Sequence, residues 1–418
     1  MLLQQNNNEY QRLVDRSMLG LRKSTGAQSP GTAASPVIDL VNLLIEQAIA
    51  DGASDIHLEP AGEALRVRLR IDGRLTEPVA PLPAELQSLV ISRLKIMSRL
   101  DTTDRQHPLD GRITYPYRGR EIDIRVSTLP LLGGEKIVLR LLNTANQLLD
   151  IKELNFSAAH EALFRAWCKK PDGLIINCGP VNSGKTTSLY AALTMLNRPD
   201  ANLTTIEDPV EYDLPGINQL QVNPATGLTF ASGLRAILRQ DPDILMIGEI
   251  RDSETADIAI RADITGRLVL STLHAPDTAG AIIRLLDMGA KPYLLADSLI
   301  GITAQRLVRR LCPACREAYT VQDGTPEAQL LGALFRPGLT LYRAKGCPAC
   351  RQTGYQGRLA IHELLPMSEE LHDAILRQSP ARTLRTLALS GGMRTLLQDG
   401  LSKALQGETS LEEISRVV

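Results

Sequence analysis

The 418-residue chain predicts an α/β fold whose larger part is a parallel sheet wrapped by helices. Three observations predict it. First, apolar runs that are continuous rather than alternating recur through the second half: Leu174-Ile175-Ile176, Leu203-Thr204-Thr205-Ile206, Ile244-Leu245-Met246-Ile247 and Leu268-Val269-Leu270. Strands buried on both faces read this way. Second, helix-prone stretches such as 233–239 and 256–262 separate those runs. Third, each run delivers polar or charged residues at once. In open parallel sheets such residues gather outside the carboxyl ends of the strands, where ligands bind.

The first run leads into Gly179-Pro180-Val181-Asn182-Ser183-Gly184-Lys185-Thr186. Two glycines spaced this way, followed by Lys and Thr and placed between a strand and a helix, form a phosphate-binding loop. Loop N–H groups and the helix N-terminus favour an anion, through unpaired donors and the helix dipole. The expected nucleotide-binding set is Gly179, Pro180, Val181, Asn182, Ser183, Gly184, Lys185, Thr186 and Thr187. Lys185 would reach the β- and γ-phosphates of ATP, and Thr186 would ligate magnesium.

The other strand tips supply candidate catalytic groups. They are Glu207 in Glu207-Asp208-Pro209-Val210-Glu211, Glu249 in Gly248-Glu249-Ile250-Arg251-Asp252, and His274. Singly, each acidic cluster reads as a solvated loop and His274 as an ordinary histidine. Aligned behind a phosphate loop, the carboxylates suit holding magnesium and orienting the attacking water, and His274 suits sensing the γ-phosphate.

With these residues in place the chain resembles the traffic ATPases of type II secretion and type IV pilus extension, a family of RecA-like hexameric motors. The matching stretches are 179–190, 205–212, 234–252 and 265–274, with Ala53-Ser54-Asp55-Ile56-His57-Leu58-Glu59-Pro60 and Arg125-Val126-Ser127-Thr128-Leu129-Pro130 upstream. The resemblance implies a RecA-like P-loop ATPase core, a smaller N-terminal α+β (PAS-like) domain, an inserted tetracysteine zinc element and a C-terminal helical segment. It implies that Glu249 contributes to the magnesium and water site and that Glu207 is a candidate for polarising the water. It leaves the base role unassigned between them. It also implies that Arg125 and Arg140 approach the phosphates; ordinary surface arginines are the competing reading. Three departures stand out. Val181-Asn182 replaces the family's Thr-Gly, Arg267 stands where a second histidine is usual, and Ala275-Pro276 replaces Thr-Asn. Asn tolerates the left-handed backbone that Gly would adopt, so the loop is expected to keep its shape.

Cys312-Pro313-Ala314-Cys315 and Cys347-Pro348-Ala349-Cys350 form two C-x-x-C knuckles farther apart than in a compact zinc ribbon. Four thiolates suit a closed tetrahedral zinc site. Two disulfides are the competing arrangement, disfavoured because no secretory signal is evident and a P-loop enzyme belongs in the reducing cytosol. Cys168 and Cys178 read as buried small hydrophobes. By resemblance, the tetracysteine element marks assembly motors and docks on a polytopic inner-membrane platform protein. Its flanking basic residues, Arg306, Arg309, Arg310, Arg316, Arg343, Lys345 and Arg351, read equally as a docking surface or a solvated one.

Composition narrows the classes. Forty-six basic and 47 acidic residues give a net charge of -1, and aromatics are only 3%, so nothing global points to a nucleic-acid partner. No apolar run is long enough to span a membrane. The expected location is cytoplasmic, held peripherally at the inner membrane through partners.

The expected organisation follows. Residues 1–35 are polar and then Ser/Gly/Pro/Ala-rich, and read as a short helix at most in a flexible N-terminal segment. The longer region by which relatives dock on a bitopic inner-membrane recruiting protein is expected to be missing or truncated. Residues 36–142 form the α+β domain, in which Leu65, Val67, Leu69 and Ile71 alternate with Arg66, Arg68 and Arg70 before an Asp72-Gly73 turn. Residues 143–157 are the hinge, 158–365 the ATPase domain with its zinc element at 308–352, and 366–418 the helical segment. The function expected is an ATP-hydrolysing homohexamer that powers pseudopilus or pilus assembly. The alternatives are a nucleic-acid-translocating RecA-like motor and a low-turnover regulatory nucleotide-binding protein.

Overall fold

The computed structural model describes residues 2–24, 34–142 and 150–418, which fall into two compact units, Met1–Gln147 and Leu148–Val418.

The first unit is an antiparallel sheet with helices on one face. Its strands are β1 (Asp55–Ala61), β2 (Ala64–Ile71), β3 (Arg74–Thr76), β4 (Leu82–Pro83), β5 (Leu109–Tyr117), β6 (Arg120–Leu131) and β7 (Gly134–Leu142). They run in the order β3-β2-β1-β7-β6-β5, with β4 against β2. The alternation read in β2 holds: Leu65, Val67 and Leu69 are buried and the arginines between them are not. Asp72 and Gly73 both take positive φ, 49° and 82°, as a two-residue hairpin needs. Helices α2 (Ala34–Ala50) and α3 (Ala84–Met97) bury Leu40, Val41, Ile45, Leu86, Val90 and Leu94 in one core with the sheet.

One expectation is corrected here. In place of a short helix in a flexible segment, Leu2–Ser24 forms a single helix, α1, whose Tyr10, Leu13 and Val14 are buried in that core. Their spacing continues through Met18 and Leu21, one helical stripe in an otherwise polar sequence. The Tyr10 hydroxyl donates to the Ala80 carbonyl. Residues 25–33, the remainder of the expected tether, lie outside the described residues.

The second unit carries a seven-stranded sheet. Its strands are β8 (Gly173–Cys178), β9 (Leu203–Glu207), β10 (Asn218–Gln221), β11 (Ile244–Ile247), β12 (Leu268–Leu273), β13 (Leu299–Leu311) and, after the cysteine-bearing insertion, β16 (Tyr355–Pro366). The order is β10-β9-β11-β12-β8-β13-β16. Neighbours are parallel except the β13–β16 pair. Successive residues of β8 feed opposite cores. Leu174 and Ile176 pack with α6 (Phe230–Ile237), α7 (Ser253–Ile264) and α8 (Thr278–Asp287), while Ile175 packs with α4 (Ala158–Cys168) and α5 (Lys185–Leu196). That is why the strands read as continuous apolar runs. A short helix, α9 (Pro292–Ser298), precedes β13.

Of the expected hinge, residues 143–149 lie outside the described residues. In the remainder, Ile151 and Leu154 are buried in the second unit's core. Between β13 and β16 the chain forms a two-stranded ribbon, β14 (Glu317–Thr320) and β15 (Thr340–Arg343), with α10 (Pro326–Leu331) between them. The C-terminal segment is helical: α11 (Glu369–Leu376), α12 (Ala381–Ser390), α13 (Leu396–Leu405) and α14 (Leu411–Val417).

Candidate nucleotide site and cysteine centre

All of β8 is buried, and the phosphate loop turns at its carboxyl end into α5. Asn182 takes φ 62° and Gly184 φ 86°, so Asn182 does adopt the left-handed conformation its substitution for Gly demands. Lys185 is 8% exposed. Its Nζ donates to the Gly179 carbonyl at 2.9 Å and the Pro180 carbonyl at 2.8 Å, arching over the loop. Burial pushes its pKa down, and the nearby Glu249 charge opposes that shift. Ser183 Oγ is buried without a hydrogen-bond partner among the described residues. A phosphate oxygen would supply the acceptor it lacks, so the loop fits the group its sequence implies. Thr186 and Thr187 lie half-buried in the first turn of α5.

Three parallel strands bring their tips beside β8. Gly248 N–H donates to the Ile206 carbonyl at 2.8 Å, and Ile250 N–H to the Thr272 carbonyl at 3.0 Å. Thr272 Oγ1 donates to the Gly248 carbonyl at 2.6 Å. A Cβ at position 248 would stand 3.2 Å from the Ile206 carbonyl and 3.3 Å from Glu207 Cα. This crowding accounts for Gly where many P-loop enzymes carry Asp.

The two candidate carboxylates occupy different environments. Glu207 is 2% exposed and accepts from Tyr190 Oη, from Thr205 Oγ1 at 2.6 Å and from Gln219 Nε2 at 3.1 Å. Burial, then Glu207 itself, pushes the Tyr190 hydroxyl's pKa far up, so it remains a donor. Glu249 is partly open. It pairs with Arg251, while His274 Nε2 stands 3.8 Å from its other oxygen. Arg251 also reaches Asp208, at 3.8 Å. The Glu249 pairing raises the pKa of Arg251. The structure thus gathers Glu249, His274, Arg251 and Asp208 on one side and seals Glu207 in a donor cage on the other.

Arg267, the position of a usual second histidine, precedes β12 at the strand end opposite His274. It donates to the carbonyls of Pro242 and Thr265. Arg125 and Arg140 belong to the first unit, directly opposite one another on β6 and β7. Asp55 is the register partner of Arg140 on β1 and accepts from its Nε at 3.1 Å.

Sequence reasoning missed Tyr190, Thr205 and Gln219 as the Glu207 cage, and Gln305 beneath the phosphate loop. Gln219 and Gln305 act from neighbouring strands, Tyr190 from α5, and Thr205 from two residues back on β9 itself. The cue for Tyr190 was its place in the loop's own helix, and β10, which carries Gln219, is too short and polar to announce itself.

The four knuckle cysteines converge, with their sulfurs all within 4.8 Å of one another. The separations are 3.9 Å for Cys312–Cys347 and 3.7 Å for both Cys315–Cys350 and Cys347–Cys350. A tetrahedral zinc with bonds of about 2.3 Å needs sulfurs about 3.8 Å apart, so the set fits. All four are free thiols, not disulfides. Burial pushes the Cys350 thiol up, but N–H donation from Cys347 and Gly354 outweighs it, holding the group at about 6. Several flanking arginines prove to be structural. Arg309 is 6% exposed, pairs with Glu413 at 2.8 Å and stacks 3.7 Å from the Tyr355 ring. Arg316 donates to the Gly407 carbonyl and covers Tyr342.

A phosphate loop at the tip of one parallel strand, with carboxylates and a histidine at the tips of its neighbours, defines a P-loop nucleotide-hydrolysing enzyme. The model of the type II/IV secretion system protein family matches residues 31–416. The Type II secretion system ATPase E of Vibrio cholerae serotype O1 is 46% identical over 383 residues, spanning 92% of this chain and 75% of that protein. The Type II secretion system protein E of Pseudomonas aeruginosa is 48% identical over 92% of this chain and 76% of its own. Among solved structures, the pilus retraction motor PilT with bound ADP superposes with a TM-score of 0.58 at 26% identity, covering 89% of this chain and 95% of that one. The ATPase DotB of Legionella pneumophila shares the fold, with a TM-score of 0.67 at 20% identity over 90% of this chain and 95% of its own. The chain belongs to the type II/IV secretion system protein family and is one of its ATPases.

Proposed function

We propose that the chain is the cytoplasmic, homohexameric motor that hydrolyses ATP to drive pseudopilus assembly in type II protein secretion. One observation carries this reading. A complete phosphate loop and strand-tip constellation sits in a chain 46% identical over 92% of its length to a named type II secretion ATPase. No helix among the described residues is long and apolar enough to cross a membrane, so attachment to the inner membrane would come through partners. These are a polytopic platform protein met by the cysteine centre and a bitopic recruiting protein.

In this reading Lys185 exchanges its two carbonyl partners for β- and γ-phosphate oxygens, and the loop N–H groups with Ser183 hold the rest of the triphosphate. Thr186 and Glu249 would hold magnesium, which supplies charge neutralisation when bound. The partly open Glu249 accepts a hydrogen bond from the attacking water, with His274 beside it to sense the γ-phosphate. Glu207, whose oxygens already receive three donors, orders the strand-tip floor and does not take the proton. Arg125 and Arg140, register partners on β6 and β7, would serve as phosphate ligands, a role that suits a permanently charged guanidinium able to bridge two oxygens. The four cysteines would hold structural zinc.

In-cell crosslinking of the tagged protein followed by mass spectrometry tests the assignment, with Cys350→Ser as control. Recovery of a polytopic membrane protein and pseudopilins, lost in the variant, is the expected result. Recovery of nucleic-acid factors alone contradicts it.

A further inference from the structure

We infer that Gln305 is a positioning residue for ATP binding, a strut beneath the phosphate loop that holds it in its anion-accepting shape. The inference rests on the reading of residues 179–187 as the nucleotide loop.

Gln305 lies on β13, immediately beyond Ala304, which pairs with Cys178 at the end of β8. Its side chain is enclosed, at 2% exposure. The amide oxygen accepts from Ser188 Oγ, one turn into α5, at 2.8 Å, and from Asn177 Nδ2, just before the loop, at 3.3 Å. Asn177 Nδ2 also stands 3.4 Å from the Lys185 carbonyl. One buried oxygen therefore ties the strand before the loop to the helix after it.

The amide nitrogen lies on the other side of the same contact. A Cβ built on Gly184 would stand 2.8 Å from Gln305 Nε2, and one on Gly179 2.6 Å from the Gln305 carbonyl oxygen. Both loop glycines are thus pressed against this one residue. Arg306 extends the arrangement, donating to the carbonyls of Gln305 and of Pro276 in the segment after His274.

These contacts predict a specific functional consequence. A buried amide that satisfies two donors fixes where those donors sit, and deleting it leaves Ser188 Oγ and Asn177 Nδ2 only their longer contacts, to the Gly184 carbonyl at 3.3 Å and the Lys185 carbonyl at 3.4 Å. The loop's N–H groups then lose their common orientation toward phosphate. The effect falls on nucleotide affinity, because the loop grips ground and transition states alike, and uniform binding appears in KM rather than kcat.

The test compares wild type with Gln305→Met, which keeps the volume and removes both hydrogen-bonding atoms, and with Ser188→Ala, which removes the stronger donor from the opposite side. Binding of a fluorescent ATP analogue, steady-state KM and kcat, and the nucleotide-free melting temperature are read for each. A rise in Kd and KM of about tenfold for Gln305→Met, on the order of one lost buried hydrogen bond, is expected with kcat within about threefold. The double variant should bind no more weakly than the weaker single, because both act through one contact. A merely structural residue would lower the melting temperature and leave the Kd of the folded protein unchanged, and Kd within twofold of wild type overturns the inference. Should Gln305→Met not fold, Ser188→Ala decides by the same criterion, with a threefold loss of affinity as the threshold. Lys185→Ala runs alongside. Wild-type affinity in that variant would instead overturn the assignment of the nucleotide loop itself.

Discussion

At the scale of single residues, the contrast between Glu207 and Glu249 is the most consequential feature. Both carboxylates stand at the carboxyl ends of buried strands, but one is caged by Tyr190, Thr205 and Gln219 and the other opens toward His274. Glu249→Gln is therefore expected to bind ATP with near-wild-type affinity and to lose at least 100-fold in kcat, in the range typical of removing a group that orients the nucleophile. Glu207→Gln should show its main effect in stability, because an amide cannot accept at every position the carboxylate does. Single-turnover kinetics beside chemical denaturation separate the two; equal losses of kcat in both variants would refute the division of roles. The phosphate loop was legible in the sequence because every part of it is local: two glycines, Lys185 and Thr186 in eight consecutive residues. Even the Asn182 substitution read correctly, since its backbone is left-handed, at φ 62°. Thr205 sits two residues before Glu207 on β9, but the rest of the cage and the Gln305 strut were not legible, because Tyr190, Gln219 and Gln305 come from elements that meet their partners only in the folded sheet.

Among the elements, the parallel strands announced themselves by continuous apolar runs, and the α+β sheet by alternation. Helix α1 and the β13–β16 pair did not. The buried stripe of α1 is only one residue in three or four amid Gln, Asn and Arg, which composition registers as polar. β13 contains Gly301, which breaks the look of a strand. The structure gives the reason for that glycine: a Cβ there would lie 2.5 Å from the buried Trp167 ring. Gly301→Ala should cost about 1–3 kcal/mol by overpacking, measured as a lowered urea midpoint; an unchanged midpoint would mean that α4 yields. In the cysteine centre, Cys350→Ser is expected to release the metal, read as loss of about one zinc per chain by elemental analysis. Equal zinc in both proteins would assign the metal elsewhere.

For the second unit as a body, acid sensitivity should centre on His362. It is fully buried on β16, its ring 4.2 Å from Phe156, and neither ring nitrogen has a partner among the described residues. Burial first, then the charges of Lys403 and His160, holds its pKa well below the usual value. The nearby His160 is depressed mainly by burial too, with Asp399 opposing. The unfolded chain takes up protons as pH falls through about 6.5 while the folded chain does not. Stability is thus intact above that pH and is lost below it, by up to about 1.4 kcal/mol per pH unit for each histidine. Urea midpoints at pH 7.5 and 5.5 check this: wild type should fall further than His362→Leu, and equal falls would show that His362 does not carry the effect.

ATP hydrolysis at the tips of β8, β9, β11 and β12 requires Lys185. Steady-state phosphate release by the purified protein, beside Lys185→Ala, tests it most directly. Turnover in the wild type and background release in the variant are expected. Turnover that survives loss of Lys185, or none in a folded wild type that binds ATP, would contradict it.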